Sequence, residues 1–253
     1  MTNEIIRIEP SLPLSFEEFK ARVRESDSAK SAFDKTAEFY DRIPLFIRVL
    51  QNFDRTGLAS AIDQILTEKQ AESEQDNILR AIHALYQALC WHSQELLRLE
   101  QSYLSQQGPM LTYSYFEHCK RTFHPSKIEL FRNVWFNGLV NVDRRPGEKS
   151  RMFDLVASLT EEDIFTLRII YDRQHSLASS DREPVHIDDI GAALNVESAY
   201  AQQICVNLQA RGLLFDSGIG KWGYKGPVRF VITDYAKLLV EYITEPSSAG
   251  NSA

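Results

Sequence analysis

The 253-residue sequence contains little cysteine, no long apolar run and no excess of positive charge. Its three cysteines, Cys90, Cys119 and Cys205, are an odd number without paired spacing, which argues against a disulfide framework and fits a reducing compartment. No run approaches the roughly eighteen apolar residues that a membrane-spanning helix needs. Residues 1–10 also lack the basic start and apolar centre of a signal peptide. We therefore expect a globular, cytoplasmic protein without a membrane partner.

The motifs of common catalytic and metal sites are missing as well. The sequence contains no glycine-rich phosphate loop, no nucleophile elbow and no HExxH or EF-hand pattern. Histidines lie near Cys90 and near Cys119, but neither group has the spacing of a zinc site. We predict a protein that is not an enzyme and that carries no metal or other cofactor. Cys119 and Cys205 are expected to be packing residues, although an exposed Cys119 could act as a redox-sensing thiol.

Positive charge is scarce but unevenly distributed. The net charge of −7 opposes simple nucleic-acid binding, because phosphate contacts supply most non-specific affinity for DNA. Residues 151–253 contain 9 Lys and Arg against 14 Asp and Glu. Within that part, however, residues 203–237 contain five basic residues against two acidic ones. These cations are Arg211, Lys221, Lys225, Arg229 and Lys237.

Residues 1–142 have the apolar periodicity of a helical domain. Ser15-Phe16-Glu17-Glu18 is a capping box, which predicts that a helix begins there. A longer helix follows residues 67–75, because apolar residues alternate steps of four and three over roughly thirty residues, as in a heptad seam. We predict an N-terminal bundle that serves dimerisation or sensing, and the seam's coiled-coil partner is either in this chain or in a second copy. The seam consists of Ile78, Ile82, Leu85, Leu89, His92, Leu96, Leu99 and Tyr103.

The polar segment 143–150, with the sequence DRRPGEKS, predicts a linker because it contains Pro-Gly and no apolar anchor. A C-terminal domain over 151–243 then opens with a helix from Arg151 to about Ser158. Thr160 and Thr233 are expected to cap two further helices. Residues 244–253, TEPSSAGNSA, have the composition of a disordered tail.

Several independent signals coincide between His186 and Ile232. Apolar spacing predicts a short helix that ends at Asn195, a residue that tolerates the left-handed conformation. A second helix begins at Glu197 or Ser198 and ends at Gly212. The apolar, β-branched segments 213–215 and 228–232 flank a glycine-rich segment at 218–226 and predict a hairpin. The buried stripe of the second helix is expected to be Ala201, Ile204, Cys205 and Leu208.

These residues resemble the winged helix-turn-helix DNA-binding domains of the MarR type. The matching pattern runs from Leu194-Asn195-Val196 to the sequence LQARGLL at 208–214, and the resemblance covers the last third of the chain. It implies that the helix from Glu197 enters the major groove of duplex DNA and that the hairpin is the wing. The positions that match the family's base-facing residues are Ser198, Tyr200, Gln202 and Gln203.

Further DNA contacts are expected from Arg211 and from the wing residues Lys221, Trp222, Tyr224 and Lys225, since cations reach phosphates and aromatic rings stack or wedge. The sequence therefore predicts a mainly α protein, with a helical bundle followed by a winged helix-turn-helix domain and its small β-hairpin wing. Its expected function is transcription regulation by a homodimer that binds duplex DNA. The alternative is a non-enzymatic interaction or scaffold protein whose winged helix docks another protein.

Overall fold

The computed structural model describes residues 15–24, 72–91, 107–140, 146–175, 183–219 and 226–245. These residues are mainly helical, with nine α-helices and one three-stranded antiparallel sheet. The chain divides into two compact units, a helical unit of residues 1–157 with 245–253 and a mixed unit of residues 158–244. None of the described helices combines the length and apolar character that crossing a membrane requires.

The helical unit contains five described helices. They are α1 (Phe16–Arg24), α2 (Glu72–Trp91), α3 (Gln107–Arg121), α4 (Ser126–Val140) and α5 (Pro146–Ser158), the last of which ends at the first residue of the mixed unit. The predicted capping box at the start of α1 is confirmed. The Ser15 hydroxyl accepts from the Glu18 amide at 3.3 Å, and the Glu18 carboxylate accepts from the Ser15 amide at 3.0 Å.

The core of this unit lies where α2, α3 and α4 pack together. Ile78, Ile82 and Leu85 of the predicted heptad seam are buried on α2. The Tyr115 hydroxyl on α3 donates to the Ala81 carbonyl at 2.8 Å, which ties α3 to α2 and pairs this buried hydroxyl. The side chain of Leu89 and all seam residues from His92 to Tyr103 lie outside the described residues. The long heptad-patterned helix therefore stays a prediction beyond α2.

Helix α5 begins inside the segment that the sequence marks as a linker. Pro146 occupies its first position, where a missing amide proton costs nothing. Lys149 is only 1% exposed, and its ammonium donates to the Gly138 carbonyl at 2.7 Å. Met152 and Phe153 are fully buried on the following turn. Residues 146–150 of the predicted linker thus belong to α5 and to the helical unit, which extends to residue 157.

The mixed unit has the order helix, strand, two helices, two strands and a final helix. Its elements are α6 (Glu161–His175), β1 (Val185–His186), α7 (Ile187–Leu194), α8 (Ser198–Ala210), β2 (Leu214–Asp216), β3 (Arg229–Ile232) and α9 (Asp234–Ile243). Strand β3 lies between β1 and β2 and pairs with both in antiparallel register. Val185 lies opposite Phe230, and Phe215 lies opposite Val231. Of the predicted tail, residues 244–253, only Thr244 and Glu245 are among the described residues.

The helix ends of this unit confirm several expectations. The Thr160 hydroxyl accepts from the Asp163 amide at 3.1 Å, and Thr233 accepts from an amide of the first turn of α9 at 3.2 Å. Asn195 has φ of 57°, so it ends α7 in the left-handed conformation, and Gly212 follows α8 with φ of 73°. The capping residues therefore fix where these helices start and stop.

A buried glutamine joins helix α6 to the sheet. Gln174 is 2% exposed, and its amide donates to the carbonyls of Glu183 at 3.3 Å and Phe230 at 3.4 Å. Its carbonyl accepts from the Ile232 amide at 3.1 Å. If the pairing of β1 with β3 continued, residue 183 would lie opposite residue 232. Residue 183 precedes β1, and the Gln174 side chain bonds to the backbone of both residues in place of a direct strand pairing.

The turn between α7 and α8 leaves no space at Gly191 for a side chain larger than a hydrogen atom. The Val196 amide donates to the Gly191 carbonyl at 2.9 Å. A Cβ atom at Gly191 would lie 2.9 Å from the Val196 carbonyl oxygen and 3.5 Å from the Ser198 Cα. Since both are backbone atoms, they can make room only if α7 and the start of α8 separate.

Replacing Gly191 with alanine is therefore expected to destabilise the mixed unit by about 1–3 kcal/mol, the usual cost of forcing extra atoms into close packing. Gly147→Ala is the matched control, because a Cβ there meets nothing within 4 Å in a helix. That variant should be unchanged or up to about 1 kcal/mol more stable through helix propensity. Urea unfolding followed by circular dichroism measures both effects, and wild-type stability in Gly191→Ala would contradict the close approach.

Candidate nucleic-acid interface

Helix α8 has one buried side and one exposed neutral side. The predicted stripe of Ala201, Ile204, Cys205 and Leu208 is confirmed, since each is 5% exposed or less. No charged residue occurs between Ser198 and Ala210. The exposed positions are Ala199, Tyr200, Gln203, Val206, Asn207 and Ala210. This surface can form hydrogen bonds and apolar contacts, but it brings no cation of its own.

Ser198, the first predicted base-facing residue, contacts helix α7. Its hydroxyl donates to a carboxylate oxygen of Asp188 at 2.6 Å. Glu197 occupies the capping position of α8, and its side chain makes no capping hydrogen bond. The Ser198 hydroxyl therefore joins the first turns of α7 and α8, a contact that charge assistance strengthens.

Gln202, the third predicted base-facing residue, contacts the segment that leads from the hairpin connection into β3. Its amide donates to the Pro227 carbonyl at 3.0 Å. Gly226, directly before that proline, has φ of 125°, a conformation that favours glycine. The hydrogen bond thus fixes the end of the hairpin connection against α8.

Arg211 directs its guanidinium toward the start of the mixed unit. One terminal nitrogen donates to the Ser158 carbonyl at 2.9 Å and to the Ser158 hydroxyl at 3.1 Å. The side chain therefore connects the end of α8 to residue 158. A phosphate contact by Arg211 would compete with these two hydrogen bonds.

Two of the predicted base-facing residues stand on the exposed side. Tyr200 is 47% exposed, and Gln203 is exposed one turn further along α8. Asn207 follows at the next turn on the same face and was not identified from the sequence. Its spacing of four from Gln203 is the signal that could have revealed it, because residues four apart are neighbours on a helix surface. The predicted wing residues Lys221, Trp222, Tyr224 and Lys225 lie outside the described residues.

The charges around α8 are mostly satisfied within the mixed unit. Asp189 pairs with Arg173 at 3.0 Å, and Lys237 pairs with Asp234 at 2.7 Å. Among this unit's described cations, Arg229 alone makes no hydrogen bond or ion pair through its side chain, and it is exposed at the start of β3. Positive charge for a polyanion must therefore come from Arg229 and from the cations of 220–225.

The described residues contain no cluster of three or more His, Cys, Asp or Glu side chains that could hold a metal ion. No family model, curated protein or solved structure matches this chain. Function must therefore be inferred from the side chains and geometry of α8 and the hairpin.

The two cysteines whose side chains the structure describes are packing residues, as the sequence predicts. Cys119 and Cys205 are each fully buried. Burial raises the pKa of the Cys205 thiol from 9.0 to about 12, and burial likewise raises the pKa of Cys119 well above 9.0. Because a redox-sensing thiol needs exposure and a thiolate, the burial of Cys119 excludes that role in the folded protein.

These pKa shifts predict an alkaline loss of stability. The unfolded thiol ionises near its ordinary pKa of 9.0 and the folded Cys205 thiol only near 12, so the stabilisation is complete below pH 9.0 and is lost as pH rises toward 12. Urea midpoints between about pH 8 and 11 should fall more steeply in a Cys90→Ser protein than in Cys90→Ser/Cys205→Ala. Both buried thiols should also react with Ellman's reagent only after unfolding. Rapid labelling of the folded Cys90→Ser protein would contradict this arrangement.

Proposed function

We propose that residues 158–244 form a winged helix-turn-helix domain that binds duplex DNA. In this proposal α8 enters the major groove, and the connection between β2 and β3 is the wing. The observation that supports it is the glycine-dependent turn between α7 and α8, which presents a neutral, amide-bearing face of α8 in the same unit as a β-hairpin. The major groove admits an α-helix, and the amide side chains on this face match the hydrogen-bonding edge of adenine.

The proposed roles differ among the residues of α8. Gln203 and Asn207 read base edges, because each amide offers a donor and an acceptor together. Tyr200 contacts the neighbouring backbone or a base edge through its exposed ring and hydroxyl. The hydrogen bonds of Ser198 and Gln202 make them positioning residues that hold α8 against α7 and the hairpin.

The distribution of charge determines which end of the domain meets phosphates. Glu197 and Asp188 place negative charge at the start of α8, where it repels the DNA backbone. The cations Lys221, Lys225 and Arg229 belong to the wing and the strand beside it. Three cations make few phosphate contacts, so we propose a homodimer that engages two half-sites, with dimerisation or sensing assigned to the helical unit.

The wing provides the first test of this proposal. Lys221→Ala/Lys225→Ala should weaken binding to random-sequence duplex DNA at least tenfold at low salt, because two phosphate contacts per copy are lost. The slope of log affinity against log salt should fall in magnitude by about 0.9 for each lost contact. Fluorescence anisotropy across a salt series measures both quantities. Lys237→Ala is the control, since that ammonium is already paired with Asp234.

Unchanged affinity in the double variant would remove the wing from the interface. Absence of binding by the folded wild-type protein at about 50 mM salt, where phosphate contacts are strong, would overturn DNA binding altogether. If Lys237→Ala lost as much affinity as the double variant, the loss would reflect the protein's total charge and not contacts made by the wing.

A second test separates reading from positioning on adjacent residues of α8. Gln203→Ala should change affinity among DNA sequences while leaving stability within about 0.5 kcal/mol, because Gln203 is exposed. Gln202→Ala should lower stability by about 1 kcal/mol through the lost hydrogen bond to Pro227. Sequence selection followed by urea unfolding of both variants measures the difference. Equal loss of stability in the two variants would contradict the assigned roles.

One specific observation favours the alternative of protein docking. Val206, Phe215 and Ile219 expose 40%, 55% and 56% of their surfaces in the mixed unit. Exposed apolar side chains beside an uncharged helix are typical of protein contacts. If the salt series shows no affinity for DNA, protein docking becomes the favoured function of the mixed unit.

A further inference from the structure

The helical unit contains a cavity that the proposed DNA interface does not use. It lies between the first half of α2, the end of α3 and the loop that leads to α4, and its volume is about 580 Å³. That volume is within the range of small-molecule sites, about 300–1,000 Å³. The lining residues are Asp76, Asn77, Arg80, Lys120, Arg121, Thr122, Phe123 and Pro125.

Cations outnumber anions in the wall of this cavity. The lining cations are Arg80, Lys120 and Arg121, of which Arg121 is paired with Glu117 of α3. The lining carboxylate, Asp76, forms an ion pair with Lys20. Among the residues that the structure describes, no carboxylate pairs with Lys120. Basic residues in the last turn of α3 complement its helix dipole, but Arg80 belongs to α2 and has no such explanation. The wall therefore favours an anionic ligand.

Hydrogen bonds and a cation–π contact hold side chains of the wall in place. The Asn77 amide donates to the Thr122 carbonyl at 2.8 Å, which ties the loop to α2, and Asn77 is only 8% exposed. The guanidinium of Arg80 lies over the ring of Phe16, 4.2 Å from its centre. Glu117 holds the Arg121 guanidinium at 2.8 Å. Such preorganisation lowers the conformational cost of binding a ligand.

An aromatic ring stands fully exposed at the cavity. Phe123 is 94% exposed, more than any other large apolar residue that the structure describes. A flat ligand that stacks on this ring would remove apolar surface from water on both partners. The cavity therefore presents charge for an anion and an apolar face for a planar group.

We propose that this cavity binds a small nucleotide-like anion. Lys120, Arg121 and Arg80 contact its phosphate through charge-assisted hydrogen bonds, and Phe123 stacks on its planar base. The proposal concerns the helical unit and stands whether or not the mixed unit binds DNA.

Isothermal titration calorimetry of the full chain with adenosine monophosphate, adenosine and inorganic phosphate tests this assignment. Adenosine monophosphate should bind with submillimolar affinity, and phosphate and adenosine each at least tenfold more weakly, because each lacks one half of the contact. Lys120→Gln/Arg121→Gln should weaken the nucleotide at least tenfold. Phe123→Ala should weaken the nucleotide but leave phosphate unchanged. Arg151→Gln, an exposed residue outside the cavity wall, is the control and should change nothing.

No heat of binding with adenosine monophosphate up to about 5 mM would overturn the site. Equal nucleotide affinity in the wild-type protein and the Lys120→Gln/Arg121→Gln variant would place binding elsewhere and also overturn it. If inorganic phosphate bound as tightly as adenosine monophosphate, Phe123 would have no stacking role. The proposal of a nucleotide-like ligand would then be wrong. Circular dichroism of each variant establishes that the comparison is made between folded proteins.

Discussion

The close approach of Gly191 to the Val196 carbonyl is the constraint on which the proposed interface depends. Because no side chain fits between the two backbone segments, α7 and α8 meet in one tight turn. Asn195 supplies the left-handed residue that this turn needs. The direction of α8 follows from that turn, and the buried stripe from Ala201 to Leu208 then fixes its rotation. The exposed face of α8 is thus a consequence of backbone geometry before any partner is considered.

Three side chains that the sequence predicts to contact DNA make hydrogen bonds within the folded chain that help to position α8. Ser198 bonds to α7, Gln202 to Pro227 and Arg211 to Ser158. Each such hydrogen bond stabilises the unit by about 1 kcal/mol, and a partner that recruits the same group must replace it. The groups most accessible to a partner are therefore Tyr200, Gln203 and Asn207. The hydrogen bonds therefore narrow the set of α8 side chains that a partner can reach without breaking a contact within the chain.

Features that depend on neighbouring residues could be predicted from the sequence, and features that join distant residues could not. The caps at Ser15, Thr160 and Thr233 are interactions within one helical turn, so residue types and spacing suffice to predict them. The bridge made by Gln174 joins residues up to 58 positions apart and has no local pattern. The burial of Lys149 has no local pattern either, because a charged residue buries its aliphatic stem only where its ammonium meets a distant acceptor, here the Gly138 carbonyl.

Net charge predicts neither proposed site, because salt screens charges beyond about 8–10 Å. A chain of net charge −7 can still bind an anion where cations gather and nearby acids are already paired. Both conditions hold beside the cavity, where Asp76 forms an ion pair with Lys20 and Glu117 forms one with Arg121. In the mixed unit Asp189 forms an ion pair with Arg173, but Glu197 is exposed at the start of α8. Under the proposed function, a DNA backbone would therefore approach from the hairpin side, and the proposed wing, not the start of α8, would supply the phosphate contacts of that interface.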